Sequence, residues 1–147
     1  MTTAEPAFSF QVSMDCHDTA VMTRFWSLAL NYVAQPPPPG FADWDAFADE
    51  YGIPVEERSG FGSVVDPAGE GPRLFFHAVP EDKVVKNRVH LDVNVGRRLE
   101  DDERAAAVRA HAERLVAAGA AIVAERWDAG SRWTVMTDPE GNEFCLQ

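Results

Sequence analysis

The pattern Asp-Pro-x-Gly occurs twice in this chain, each time between two short apolar runs, and that repetition limits the possible folds more than any other feature. Asp66-Pro67-Ala68-Gly69 follows Phe61 to Val65 and precedes Arg73 to His77; Asp138-Pro139-Glu140-Gly141 follows Trp133 to Thr137 and precedes Asn142 to Leu146. Pro at the second position and Gly at the fourth suit a tight turn, so each copy reads as the corner of a β-hairpin. A chain written twice in this way builds its core from two similar units.

Upstream of each corner the halves agree again. Phe10, Val12, Met14 and Cys16 alternate with Gln11, Ser13 and Asp15, and Val89, Leu91, Val93 and Val95 alternate with His90, Asp92 and Asn94. That period of two predicts a half-buried strand opening each half. A helix is predicted after each. In the first, Asp18 or Thr19 can cap the start, and Val21, Phe25 and Leu28, flanked by Met22, Trp26 and Ala29, form an apolar stripe. In the second, Asp101 to Ala118 has acidic residues at its start, Val108, His111, Leu115 and Val116 on one side, and Gly119 as a stop. Pro36 to Gly40 is a stiff connector leading into a short amphipathic stretch, Asp43 to Tyr51, that holds Trp44 and Phe47.

The expectation is one domain over residues 1–147: a first module at about 8–79, a crossover at about 80–87 and a second module at about 88–147. The net charge of −11 disfavours contact with phosphate backbones, despite the small cluster Lys83, Lys86 and Arg88, so no nucleic-acid partner is expected. No run approaches the roughly 20 apolar residues that cross a bilayer, and the start lacks a basic segment leading into an apolar one, so no membrane partner is expected. Cys16 and Cys145 lie in apolar segments without CxxC spacing, which suggests reduced, buried thiols and a cytoplasmic location.

The apolar side of each opening strand should pack on its own helix. The other side gathers Gln11, Ser13 and Asp15 from one half and Arg88, His90, Asp92 and Asn94 from the other, with Arg73, Phe75 and His77, and Glu143 and Cys145, on the same faces by alternation. Such a face either meets water, as in many antiparallel sheets, or lines a cavity. A histidine, an arginine and a carboxylate at alternate positions of one strand favour the cavity.

These features together resemble the glyoxalase/bleomycin-resistance/extradiol-dioxygenase, or vicinal oxygen chelate, superfamily, and within it the actinobacterial-type glyoxalase-like domains. The resemblance rests on Asp15-Cys-His-Asp18, Arg24-Phe-Trp-Ser-Leu-Ala-Leu30, the Asp66-Pro67 corner, Lys86 to Asp92 and the closing Asp138 to Cys145. It implies an α+β fold in which two βαβββ modules form a cup-shaped, eight-stranded mixed sheet with the helices outside. It also implies a divalent metal held by His or Glu at four positions, which fall here on Gln11, His90, Phe75 and Cys145; a shift of alignment recruits His77 or Glu143. Only His90 is an ordinary ligand at its position.

The leading expectation is therefore a small-molecule-binding protein with a degenerate metal site and no cofactor. His90 would be its titratable centre, oriented by Asp92 or Asp15. Arg88 would hold a ligand carboxylate or phosphate, Gln11, Ser13, Asp15 and Cys145 would face the ligand, and Trp44, Phe47, Phe75 and Trp133 would form an apolar wall. The alternative is a lyase, isomerase or dioxygenase that uses one divalent metal ion held by His90 with Gln11, His77 or Glu143. The same resemblance suggests a homodimer. The fold cannot name the substrate.

Overall fold

A computed structural model describes residues 4–147. The first half comprises β1 (Val12–Cys16), α1 (Thr19–Leu30), β2 (Val33–Ala34), α2 (Trp44–Glu50), a single stretch of 3-10 helix (Val55–Gly60), β3 (Phe61–Val65) and β4 (Leu74–Ala78). The second comprises β5 (Asp92–Val93), α3 (Asp101–Ala117), β6 (Ala121–Asp128), β7 (Ser131–Thr137) and β8 (Glu143–Leu146). The strands form two four-stranded mixed sheets of matching order, β1-β4-β3-β2 and β5-β8-β7-β6. In each, the opening strand runs parallel to the closing one and the hairpin strands are antiparallel. The expected α+β architecture of two βαβββ units is the one observed.

Both Asp-Pro corners turn as expected, with Gly69 and Gly141 at φ +72° and +85° and with their N–H groups bonded to the Asp66 and Asp138 carbonyls at 2.9 Å each. The opening strands are shorter than their alternation suggests. β1 starts opposite Leu74, so Phe10 falls beside Pro72, which has no N–H to give, and is exposed. Asp92 pairs with Cys145, which puts Arg88 and Val89 opposite the Asp138 to Asn142 corner, where the chain turns away; Val89 is 81% exposed.

Asp18 caps α1 by accepting the Ala20 and Val21 N–H groups, each at 3.0 Å. The buried stripe of α1 is Thr19, Met22, Phe25, Trp26 and Ala29, rotated from the predicted one so that Leu28 is exposed. The rotation follows from what α1 covers. Besides its own sheet it meets β8 of the second half, where the Phe25 and Trp26 rings pack edge-on against Phe144 at 5.8 and 5.1 Å. Ala112 and Leu115 of α3 and Met136 of β7 join the same core, and His111 reaches from α3 to the Ala29 carbonyl at 2.9 Å, while Val116 is exposed. No helix among the described residues is long and apolar enough to cross a membrane.

Candidate functional site

Along β1, Val12, Met14 and Cys16 face the core, which leaves Ser13 and Asp15 exposed on the opposite side. Register places Phe75 beside Ser13 and His77 beside Asp15, then Ser63 beside Phe75 and Phe61 beside His77. This face of the first sheet is organised. Phe61 stacks on His77 at 5.4 Å with the rings 7° apart and on Phe75 at 5.8 Å, and the Arg73 guanidinium lies 4.9 Å from the centre of the Phe75 ring. Arg73 donates from Nε to the Gln35 side-chain oxygen at 2.6 Å and from Nη1 to that of Gln11 at 2.9 Å, and the Ser63 hydroxyl also donates to Gln35, at 2.8 Å. Alternation brought Arg73 to this face, but Gln35 and Phe61 were not anticipated. Gln35 comes from a loop with no periodicity, and Phe61 was legible only as one residue of an apolar run.

The second sheet presents a different group. His90 Nδ1 lies 3.1 Å from Asp92 Oδ1, and the donor atoms of His90, Asp92 and Cys145 all lie within 4.8 Å of one another. Cys145 is buried; desolvation, with the Asp92 carboxylate beside it, pushes its thiol up to about 11, so the sulfur stays protonated at neutral pH. Glu143 already has partners. It accepts the Asn87 N–H at 2.9 Å and pairs with Lys83 at 3.1 Å. Burial would raise its carboxyl, but these bonds hold it below the usual range.

A groove of about 1390 Å³ runs between the halves, and Ser13 and Asp15 line it together with Arg88, His90 and Glu143. Gln11, Phe75, His77, Asp92 and Cys145 are not among its lining residues. The other three expected wall positions lie elsewhere. Trp133 lines a second groove of about 520 Å³ with Trp127, Arg97 and Arg132. Trp44 and Phe47 form an aromatic cluster with Phe41 and Tyr51, tied to the first sheet by the bond from Trp44 Nε1 to the Gln35 carbonyl at 2.9 Å.

The donor types decide which metal such a cluster would take. A thiol, an imidazole and a carboxylate within reach of one another form a three-donor set of the zinc type. They suit a hard, oxygen-seeking cation poorly, because a sulfur whose proton is held tightly competes badly for such an ion. Gln11 and His77 do not add to the set, since Gln11 is bonded to Arg73 and His77 is stacked on Phe61.

The sequence model of a family described as a glyoxalase-like domain matches residues 11–147. No curated protein matches the chain. Among solved structures, the chain is similar to a fosfomycin resistance protein, FosX, from Mesorhizobium loti, with 13% identity, 97% of this chain and 92% of that one covered, and a TM-score of 0.63. A glyoxalase/bleomycin resistance protein/dioxygenase family enzyme from Burkholderia phytofirmans PsJN is 16% identical over 92% of this chain and 94% of its own, with a TM-score of 0.59. A FosX variant from Listeria monocytogenes, complexed with Mn(II) and 1S,2S-dihydroxypropylphosphonic acid, is 14% identical over 98% and 90%, with a TM-score of 0.62. At these identities the likeness concerns the fold.

Proposed function

The chain belongs to the glyoxalase-like domain family, and from that premise we propose that it is a small-molecule-binding protein whose ligand, aromatic or anionic, sits against the open faces of its two sheets. The observation that carries this reading is that Ser13 and Asp15 from one half and Arg88, His90 and Glu143 from the other line a single groove large enough for a metabolite-sized molecule. His90, oriented by Asp92 at 3.1 Å, presents its imidazole to the groove. Isothermal titration against benzoate, 2-naphthol and inorganic phosphate tests the proposal. Saturable binding of at least one probe, weakened in His90→Ala, is expected; no saturable binding of any would overturn it.

A second reading is favoured by the His90, Asp92 and Cys145 cluster. These three residues would hold one zinc-type ion, which when bound would polarise an oxygen of the ligand. It differs from the manganese named for the Listeria relative, in keeping with the thiol. Elemental analysis of protein purified without chelator, before and after soaking with zinc and with manganese, separates the readings. Near-stoichiometric zinc that is lost in Cys145→Ala supports the metal reading, and no retained metal removes it.

The proposal includes a homodimer. It is supported by the exposed apolar residues Ile122, Val123 and Trp127 on β6, which is the edge strand of its sheet and, among the described residues, is left without a partner on one side. Light scattering on the purified chain should give twice the monomer mass. A cytoplasmic location belongs to the same reading and is supported by two free, buried cysteines.

A further inference from the structure

We infer that Arg73, with the stacked rings of Phe75, Phe61 and His77, forms a recognition site for an aromatic carboxylate. The inference rests on the small-molecule-binding reading and adds to it a ligand class met on the open face of the first sheet, where Phe75 lies beside Ser13 of the groove lining. It begins with a charge that has no counterion. The chain has net charge −11, with 24 acidic residues against 13 basic ones, and some of its arginines have a carboxylate close by. Arg58, Arg104 and Arg132 each have one within 4.0 Å; among the described residues Arg73 has none. Its partners are instead two neutral amide oxygens, of Gln35 and Gln11. Neutral acceptors fix the plane of a guanidinium without cancelling its charge.

Arg73 is half-buried, and the loss of solvent lowers its affinity for its own proton. A cation so placed gains more from an anion than one fully in water, because the pair is less screened. Of the five guanidinium N–H groups, Nε uses one on Gln35 and Nη1 one on Gln11, leaving three, both of those on Nη2 among them, without a protein acceptor. No buried side-chain nitrogen or oxygen among the described residues lacks a partner, so Nη2, which has none, is not buried and stays open to solvent and to a ligand. Two nitrogens of one planar fork match the two oxygens of a carboxylate.

The surface beside the guanidinium sets the rest of the ligand. Phe75 lies under Arg73, Phe61 stacks on Phe75 and His77 stacks on Phe61. Phe61 is 51% exposed although it is a large apolar ring in an ordered strand. A flat apolar body laid on these rings would cover them while its carboxylate meets Arg73. On this face of the first sheet the Asp15 carboxylate sits opposite His77, roughly 13 Å along the strand from Arg73. It therefore repels the anionic end of a ligand least where that end would sit.

The test compares 2-naphthoate with 2-naphthamide, which has the same ring and nearly the same shape but no charge, by isothermal titration on the intact protein. Naphthoate is expected to bind at least about tenfold more tightly. In Arg73→Gln the two should bind alike, Arg73→Lys should restore part of the difference, and Phe61→Leu should weaken both by a similar factor. Equal binding of the two probes to the unsubstituted protein would overturn the carboxylate site and leave the small-molecule reading standing. Binding of neither would overturn both. Because the comparison is made first on the unsubstituted chain, it does not depend on the variants folding; circular dichroism of each variant separates lost recognition from lost structure.

Discussion

The two corner aspartates share the Asp-Pro-x-Gly pattern but sit in opposite electrostatic situations. Asp66 accepts the N–H groups of Ala68, Glu70 and Gly71, and these hold its carboxyl below the usual carboxylate range. Its folded pKa is depressed, so the stability it contributes is present above the unfolded value and is lost as the pH falls through the folded one. Asp138 is buried, and burial pushes its carboxyl up despite bonds from Glu140, from Asn142 and from Trp26 Nε1 at 3.3 Å. Replacing it by alanine strips these donors of their acceptor inside the protein. Asp138→Ala should therefore cost about 3 kcal/mol in urea unfolding, whereas Asp66→Ala should cost much less and mainly blunt the acid-induced loss. The thiols give a test at the other end of the pH scale. Burial is the largest cause that raises Cys16 and Cys145 from 9.0 to about 11. Between those values the native chain keeps protons that the unfolded chain has released, so stability is intact below pH 9 and should fall as the pH rises toward 11. The slope should flatten in the double variant Cys16→Ala with Cys145→Ala, as read by denaturant midpoints across that range.

At the level of elements, the helices and hairpins were legible because their signals are local: a cap at Asp18, an apolar stripe, a proline and a glycine at fixed offsets in each corner. What was not legible depended on the partner. Alternation showed that Ser13, Asp15, Phe75 and His77 share a face, but not that Arg73 would be held there by Gln35, because no period links a loop residue to a strand more than thirty residues away. It likewise placed Trp133 on a strand without showing that the strand's exposed side opens on a separate groove. The one-residue rotation of the α1 stripe has the same origin, since the second surface α1 covers lies in the other half. Close packing of α1 on β3 gives a sharp test. A Cβ at Gly62 would lie 2.5 Å from Thr23 Oγ1 and 3.1 Å from the Thr19 carbonyl oxygen, and the second of these cannot rotate away. Gly62→Ala should therefore push α1 off its sheet and destabilise the protein by about 2 kcal/mol, measured as a lowered denaturation midpoint.

Across the whole molecule, the decisive question is whether the two halves are independent bodies or one. Among the described residues their sheets share no backbone ladder, yet the contacts between them are those of a core. Phe144 of β8 lies against Phe25 and Trp26 of α1, the Trp26 ring nitrogen donates to Asp138, and the Glu140 carboxylate accepts the N–H groups of His17 and Asp18 where β1 turns into α1. In these bonds the first half donates and the second half's corner accepts, which ties α1 and its start to that corner. The groove carrying Ser13, Asp15, Arg88, His90 and Glu143 straddles that junction, so its shape is fixed only while both halves are folded. If this is so, loosening one side must loosen the other. Phe144→Ala should cost about 3–5 kcal/mol, and unfolding should remain a single transition, with far-ultraviolet circular dichroism and tryptophan fluorescence reporting the same midpoint. Native-state hydrogen exchange would place the amides of α1 and β8 at one common opening free energy, lowered equally by the substitution. Separate midpoints, or protection of β8 lost while that of α1 is kept, would mean that each half holds its own core and that the groove is a gap between two bodies rather than a built site.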